Sequence, residues 1–391
     1  MRKNIITGVS LVALNAGMAQ AGGFELQTLD TSMMYAEGNQ ASISYASIDA
    51  SVQGENPNSA TSSKRDVVKD QTVTNVTAKF DVGDSLSFGL GTYRSGAIQL
   101  SGGNENPGVT YGLTGGNLAP TGDVDLNTTA FMARYALNEN VSFIGGLTQN
   151  TLGNGNVTTL GGEYNISGAS KNGYIAGIAY QIPEIALRAE LTYQPATKIT
   201  TTTEFVPTDL TVTRAMAGSA QLNAMGAAAA KQYLTNIATE SATQLSLPDT
   251  YALSFQTGIA EDTLLTASYR RAAWSKSQIS VVTGSADIAT EFSDSEAYSI
   301  GLGRRFSDNF SASLTYSKEE GSSQPATSLF TVSNGSEALS LGLQYKRDNM
   351  TISGGISQRN VGDVTVNSSA GVMKYTGNTV TAMGLKIAFA F

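Results

Sequence analysis

The sequence predicts an all-β fold: a transmembrane antiparallel β-barrel of about 14 strands, with a short N-terminal plug and a helical outer loop. Three observations predict it. Segments of about ten residues alternate between bulky apolar and small or polar side chains, as strands between lipid and a polar lumen do. Short turns between these segments alternate with long polar loops. The chain ends on Phe391, on the apolar face of the last segment.

The composition excludes several classes of function. Charged residues are only 14% of the chain and the net charge is −8, without a Lys/Arg cluster, so we do not expect nucleic acid as a partner. The chain has no histidine and no cysteine, which removes Ser-His-Asp and Cys-His catalysis and His or Cys metal sites. We therefore predict a protein that is not an enzyme and carries no cofactor.

Residues 1–21 resemble a secretory signal peptide. Arg2 and Lys3 precede an apolar run, and Ala19-Gln20-Ala21 forms a small-x-small cleavage pattern. The alternative is a membrane anchor, but the run is short for a helical span of about 20 residues. We therefore predict export and, together with the strand pattern, a place in the bacterial outer membrane.

The alternating segments begin near residue 43, so we predict a barrel over 43–391. The segment EALSLGLQYK shows the pattern: three leucines and a tyrosine alternate with serine, glycine, glutamine and lysine. A large soluble β-sandwich fits the same alternation. However, it leaves the one-sided distribution of long loops and the terminal phenylalanine unexplained. Residues 22–42 are too short for a domain, and we predict that they form a hatch (a plug) inside the lumen.

The longest predicted outer loop is an insertion over residues 198–246. Its middle is rich in alanine, the best helix former, and we predict one or two helices there. Met216, Leu222 and Met225 give this region apolar surface. Two interpretations stay open: a helix that caps the barrel, or a landing site for an apolar ligand, since Met-rich surfaces suit varied apolar partners.

Strand parity places several charged side chains on the lumen face. They are Lys79, Arg134, Arg188, Glu190, Arg270, Lys346 and Lys386. The arginines are candidates for pairing with a ligand carboxylate. The alternative is an internal salt-bridge network with Glu190 or with the acidic residues of the hatch. Trp274 shares the parity of Arg270, which predicts either an apolar lumen wall or a place in the interfacial girdle.

Two stretches resemble the FadL-type long-chain fatty acid transporters, a family that includes toluene-type hydrocarbon channels of the outer membrane. They are GGFELQTLDTSMMYAEGNQAS at the mature start and SLPDTYALSFQTGIAEDTLLTASYRRAAWS after the large outer loop. The hatch departs from the family pattern, because it is short and lacks an Asn-Pro-Ala step. Met33 and Met34 also stand where the family has small residues.

The resemblance implies a transport route. An apolar ligand lands between outer loops, enters a pocket in the lumen, and leaves sideways through a wall gap at a kinked third strand when the hatch shifts. Here that strand is SLSFGLGTYRSGA, in which Gly89, Gly91 and Gly96 allow a bulge or kink or simply fit a tight lumen. Phe24, which matches the hatch phenylalanine of the family, and Leu26 are the hatch residues expected to contact ligand.

The predicted function is passive uptake of hydrophobic molecules, such as long-chain fatty acids or related apolar compounds. The alternative is a general porin for small solutes, although porins favour 16–18 strands and an open lumen. A barrel enzyme and a purely structural surface barrel fit the sequence less well. The expected partners are the hydrophobic ligand, outer-membrane lipid and, through Phe391, the barrel assembly machinery.

Overall fold

The computed structural model describes residues 27–58, 64–102, 119–159, 162–238, 241–283, 286–368 and 371–391. The predicted signal peptide, Phe24 and Leu26 lie outside the described residues. The described part of the hatch runs from residue 27 to residue 39 and contains the 3-10 helix Ser32–Tyr35. The first barrel strand begins at Gln40, slightly before the predicted boundary.

Fourteen long strands form the barrel, as the alternation predicts. In chain order they are β1 (Gln40–Ser51), β2 (Gln71–Val82), β3 (Leu86–Ser101), β4 (Thr121–Ala136), β5 (Val141–Leu152), β6 (Ala169–Ile182), β7 (Leu187–Gln194), β8 (Thr250–Ala260), β9 (Thr263–Ala272), β10 (Ser295–Arg305), β11 (Phe310–Glu319), β12 (Ser336–Arg347), β13 (Met350–Val361) and β14 (Asn378–Ala390). Each strand pairs antiparallel with the next, and β14 pairs with β1 from Gln40↔Ala390 to Ser51↔Thr379. The ring of fourteen strands is therefore closed.

The outer surface of the barrel carries a belt of bulky apolar side chains. On β12, Leu339, Leu341 and Leu343 are each about half exposed, while the alternating residues face the lumen. Exposed tyrosines flank the belt near strand ends, as in an interfacial girdle: Tyr135, Tyr180, Tyr251, Tyr298 and Tyr345. Such a continuous apolar belt is typical of a barrel surface that meets lipid. No helix among the described residues is long and apolar enough to cross a membrane.

The two ends of the barrel differ, as predicted. Tight turns join the strands at the end where the chain begins and ends, and this is the periplasmic end. There the Phe391 backbone N–H donates to the Asn39 carbonyl at 3.1 Å, and the Phe391 ring lies 5.9 Å from that of Phe80. Short strands extend the structure at the outer end: Gln53–Glu55, Arg65–Asp66, Gly155–Thr159, Gly162–Ile166, Thr197–Val206, Ser241–Leu247, Ile279–Thr283, Ala286–Ala289, Val364–Ser368 and Gly371–Tyr375.

The insertion predicted as a loop over 198–246 is loop and helix only in its middle. Its flanks are the strands Thr197–Val206 and Ser241–Leu247, which pair with each other from Thr197↔Leu247 to Thr203↔Ser241. The reason is local: β-branched threonines dominate the first flank, and such residues favour strands. Between the flanks lie α1 (Asp209–Gly218), α2 (Ala220–Met225) and α3 (Ala227–Ile237). Thr208 and Thr211 form a capping box at the start of α1.

Most of the buried apolar residues form one cluster in the outer half of the molecule. We call this cluster the outer apolar layer. It includes Ala46, Ile48 and Val73 from the barrel wall and Val366 and Met373 from the strands above it. A second, smaller cluster lies around the hatch. The outer half of the barrel interior is therefore apolar.

Candidate functional site

The hatch is seated on one side of the lumen by two methionines. Met33 and Met34 are buried and pack with Met132, Ile144 and Ile175 of β4, β5 and β6. They also cover Gly89 on β3, where an added Cβ would approach to 2.7 Å of Met33 Cε and closer still to Met34 Sδ. A side chain at position 89 would therefore force the two methionine side chains to shift from their present places.

Tyr35 anchors the hatch through its ring. The Arg188 guanidinium carbon lies 4.2 Å from the ring centroid and that of Arg134 lies 4.7 Å from it, so both cations contact the aromatic ring. Arg134 Nε also donates to Ser142 Oγ at 3.2 Å. The hydroxyl of Thr31 donates to a carboxylate oxygen of buried Glu190. Two of the predicted inward arginines therefore meet at the hatch.

Lys79 of β2 holds the end of the hatch. Its ammonium donates to the backbone carbonyls of Ala36 at 2.6 Å and Gly38 at 3.0 Å, and to Asp81 Oδ2 at 2.6 Å. The ammonium replaces the backbone partners that an irregular segment lacks. The hatch is thus tied to β2, β4 and β7 by polar contacts and to β3 by packing.

The barrel wall is interrupted beside β3. Pairing between β2 and β3 runs from Val82↔Leu86 to Val76↔Thr92 and stops there. Pairing between β3 and β4 shifts register between Arg94 and Gly96, which makes Ser95 a bulge residue. Further towards the outer end, among the described residues, β3 pairs again with the segment that precedes β2, at the Val68↔Leu100 bridge. We call the break between residues 71–75 and 93–98 the wall gap.

The three predicted gating glycines occupy different positions on β3. Gly89 lies under the hatch, and Gly96 directly follows the bulge. Gly91 lies between them, and a Cβ there would be 3.7 Å from Thr77 Cγ2, an ordinary contact. The hatch seat and the wall gap therefore belong to the same strand.

The outer apolar layer contains a pocket with about 510 Å³ of empty space, its open mouth included. It lies between β3–β5, the outer strands and the loop after β11. The lining residues are Ile98, Val124, Leu152, Val157, Thr159, Tyr164, Ile166, Thr243, Leu245, Ile279, Thr290 and Phe330. The lining contains no charged side chain, so the pocket suits apolar ligands.

Sequence reasoning missed the pocket residues because they lie in segments interpreted as polar loops. The alternation of side chains that could have revealed these strands is brief, because Gly155–Thr159 and Gly162–Ile166 contain only five residues each. Met216, Leu222 and Met225 do not line the pocket; Met225 is 43% exposed on the helical insertion.

Arg270 and Trp274 lie at the outer end of β9. Arg270 lies on the lumen face and is within 3.5 Å of Thr250 Oγ1. Trp274 belongs to the 3-10 helix Trp274–Lys276, is 1% exposed, and packs edge-on against Phe292 with 5.7 Å between ring centroids. The tryptophan is therefore part of the outer apolar layer, which excludes a place in the girdle.

The lumen wall away from the hatch is polar. Strands β8–β13 present small hydroxyl side chains inward, with Ser268 and Ser299 paired at 2.7 Å and Ser340 donating to Ser357 at 2.9 Å. The hydroxyls of Ser313 and Thr315 have no hydrogen-bond partner within the part of the chain that the structure describes. The lower lumen therefore offers polar groups that water can satisfy, in contrast to the outer apolar layer.

A closed barrel with a lipid-facing belt, an inserted hatch and an apolar pocket defines a protein of the bacterial outer membrane. Its fold is that of the FadL-type transporters, which confirms the predicted resemblance at the level of fold. A Pseudomonas aeruginosa FadL homologue superimposes with a TM-score of 0.72 at 13% identity, covering 96% of this chain and 98% of that one.

Two hydrocarbon channels are also similar in structure. The Pseudomonas putida toluene transporter TodX gives a TM-score of 0.61 at 10% identity, with 97% of each chain covered. The Ralstonia pickettii toluene transporter TbuX gives 0.59 at 12% identity, covering 96% of this chain and 98% of that one. No protein-family model and no curated protein sequence matches the chain.

Proposed function

We propose that the chain is a passive channel for uptake of hydrophobic molecules, such as long-chain fatty acids or related apolar compounds. The ligand is captured at the outer strands and loops, binds in the outer apolar layer, and leaves sideways into the membrane. The observation that carries this proposal is the position of the wall gap. It opens beside the outer apolar layer, whose members Val73 and Ile98 lie on its two edges.

The polarity of the lumen favours lateral exit. A chain of about 12 carbons, at about 0.8 kcal/mol per buried CH₂, gains on the order of 10 kcal/mol from an apolar site. Most of that free energy would be lost in a lower lumen lined by serine and threonine. Membrane lipid beyond the wall gap keeps the chain in an apolar environment. An apolar ligand therefore moves most easily through the wall.

The hatch is the element that controls this step. Met33 and Met34 rest on Gly89 of β3, and the same strand carries the Ser95 bulge at the gap. A shift of the hatch would release β3 and change the width of the gap. Gly89, Gly91 and Gly96 would then act as flexible points of the strand. Phe24 and Leu26 remain the proposed hatch contacts for ligand, on the family resemblance.

The remaining predicted residues take different parts in the proposal. Met216, Leu222 and Met225 are proposed as apolar capture surface on the outer helices. Trp274 is proposed to contact ligand through the outer apolar layer, and Arg270 to contact it at the lumen face. Arg134 and Arg188 would act on ligand through Tyr35 of the hatch. Phe391, exposed at the periplasmic end, is proposed as the feature that the barrel assembly machinery recognises.

The comparisons support an apolar ligand, since two structural neighbours are toluene transporters. A general porin is the second candidate. It would need a continuous aqueous lumen, whereas the outer apolar layer buries Ile48, Leu126 and Met373 completely across the outer half.

Transport by purified protein in lipid vesicles tests the proposal. We expect faster entry of a long-chain fatty acid and of toluene than in protein-free vesicles, and no swelling with sucrose. Vesicles with a 16-stranded porin serve as the positive control for sucrose entry. Free sucrose entry without hydrocarbon uptake would contradict the proposal and favour the porin.

A further inference from the structure

The segment that joins β11 to β12 covers residues 320–335, and we call it the mouth loop. It leaves β11 at the outer end of the barrel, and its Ser328 and Val332 are buried. Leu329 and Phe330 pack against the outer apolar layer, and Val332 belongs to that layer. The mouth loop therefore lies on the apolar interior rather than extending away from it into solvent.

The mouth loop reaches across the barrel. Its Phe330 lines the apolar pocket together with Ile98 of β3, Val124 of β4 and Leu152 of β5. In the ring of fourteen strands, β4 and β5 lie on the side opposite β11 and β12. Because the loop starts and ends at the outer end of its two strands, Phe330 covers the pocket from the outside.

The two ends of the mouth loop are held together at a neck. The Ser322 backbone N–H donates to Asn334 Oδ1 at 2.6 Å, and Asn334 Nδ2 donates to the Ser322 carbonyl at 3.3 Å. The Asn334 N–H donates to the Gly362 carbonyl at 3.1 Å, and the Gly362 N–H donates to the Gly335 carbonyl at 2.9 Å. Gly335 has a φ of 74°, which glycine adopts freely. A loop whose ends are joined in this way can move as one unit.

The tip of the mouth loop is held more lightly than the neck. Ala326 forms a single parallel bridge with Val366, in which the Asn367 N–H donates to the Ala326 carbonyl at 2.9 Å. The Thr327 hydroxyl donates to the carboxylate of Glu291, in the segment that leads into β10. Among the described residues, these two hydrogen bonds tie the tip to the segments around it, and the remaining contact is the apolar packing of the loop.

Other outer segments that line the pocket are paired in regular ladders. Gly155–Thr159 pairs along its whole length with Gly162–Ile166, and Thr197–Val206 pairs with Ser241–Leu247. Moving either hairpin would break several backbone hydrogen bonds at once. Lifting the tip of the mouth loop breaks fewer, so it is the element above the pocket that is displaced most easily.

We propose that the mouth loop is a lid that controls entry of the ligand from outside the cell. Its tip moves about the neck, away from Val366 and Glu291, and takes Phe330 off the outer side of the pocket. With the lid closed, Phe330 shields the apolar pocket from water; with the lid open, the pocket is accessible to an apolar molecule. The lid rests on the proposed function and adds control of its first step, whereas the hatch controls the exit.

Locking the lid with a disulfide tests the proposal, because the chain has no cysteine of its own. Ala326→Cys combined with Val366→Cys places two thiols on bridge partners, whose backbones are about 4.8 Å apart, within the range that a disulfide spans. The assay is uptake of a labelled long-chain fatty acid into cells that carry the full chain in the outer membrane. We expect oxidation to reduce uptake by this variant about tenfold or more, and dithiothreitol to restore it.

Ser340→Cys combined with Ser357→Cys is the matched control. The two serines lie opposite each other on β12 and β13, with their hydroxyls 2.9 Å apart. A disulfide there joins two strands that are already paired and leaves the mouth loop free. The same oxidation should therefore leave uptake by the control variant unchanged.

The outcomes separate the lid from the uptake function. Unchanged uptake after complete oxidation of the lid pair would contradict the lid and leave the uptake proposal standing. If the wild type takes up no fatty acid, the uptake proposal fails and the lid fails with it. Titration of free thiols measures the extent of oxidation, and heat-modifiable migration on gels confirms that each variant is folded. Should the first pair not fold or not oxidise, Thr327→Cys with Glu291→Cys, joined by a short bifunctional maleimide, locks the same tip and is compared with its unreacted form.

Discussion

Tyr35 illustrates how individual side chains fix the hatch. Its ring contacts two arginines that the sequence places on the lumen face by strand parity. Parity predicts the direction of Arg134 and Arg188 because alternation is a local property of a strand. Their partner could not be predicted, since β4 and β7 are brought together with the hatch only by closure of the barrel.

We expect Tyr35→Leu to loosen the hatch. Each of the two cation–π contacts contributes about 0.5–1 kcal/mol, so loss of the ring should raise the open population by about 5–30-fold. Hydrogen exchange of the backbone amides at residues 31–36 measures this opening. Tyr35→Phe is the control: it keeps the ring that both guanidinium groups contact, and its amides should exchange much more slowly than those of the leucine variant. Equal effects of the two variants would show that the ring contacts do not hold the hatch.

At the scale of elements, the strands were the most predictable part. Each barrel strand alternates over 8–16 residues, long enough for the pattern to exclude a helix. The short outer strands carried too few residues for that test, and the threonine-rich Thr197–Val206 looked like a polar loop. The wall gap was not predictable from the residues themselves, because it depends on which stretches of β2 and β3 fail to pair.

Strand β3 connects the hatch with the gap, and a substitution at Gly89 should test that link. We expect Gly89→Val to displace Met33 and Met34, because a Cβ already comes within 2.7 Å of Met33 Cε. The hatch should then become sensitive to added protease in vesicles, with the barrel intact. Gly91→Val is the matched control on the same strand face, where a Cβ has 3.7 Å of room. Equal sensitivity of the two variants would mean that the hatch does not rest on position 89.

For the whole molecule, the account requires that one barrel face meets lipid and the other meets the lumen. We expect Leu341→Arg to cost about 2–4 kcal/mol of unfolding free energy in lipid vesicles, measured with urea, because the arginine would face hydrocarbon. The neighbouring Ser340→Arg, which faces the lumen, should cost clearly less. A reversed order of the two costs would overturn the assignment of faces.

The proposal of lateral release rests on three features of the whole barrel: the apolar layer, the polar lower lumen and the wall gap. The most direct measurement is therefore uptake of a labelled long-chain fatty acid into cells by a variant that lacks Ser95. Removing the bulge residue lets β3 pair with β4 in continuous register. Ser95→Ala keeps the bulge and serves as the control.

We expect the deletion to reduce uptake about tenfold or more, with folded barrel at wild-type levels in the membrane, while Ser95→Ala transports normally. That result would tie transport to the kink in β3. Undiminished uptake by a folded barrel without Ser95 would contradict lateral release and direct the search for an exit to the periplasmic end of the lumen.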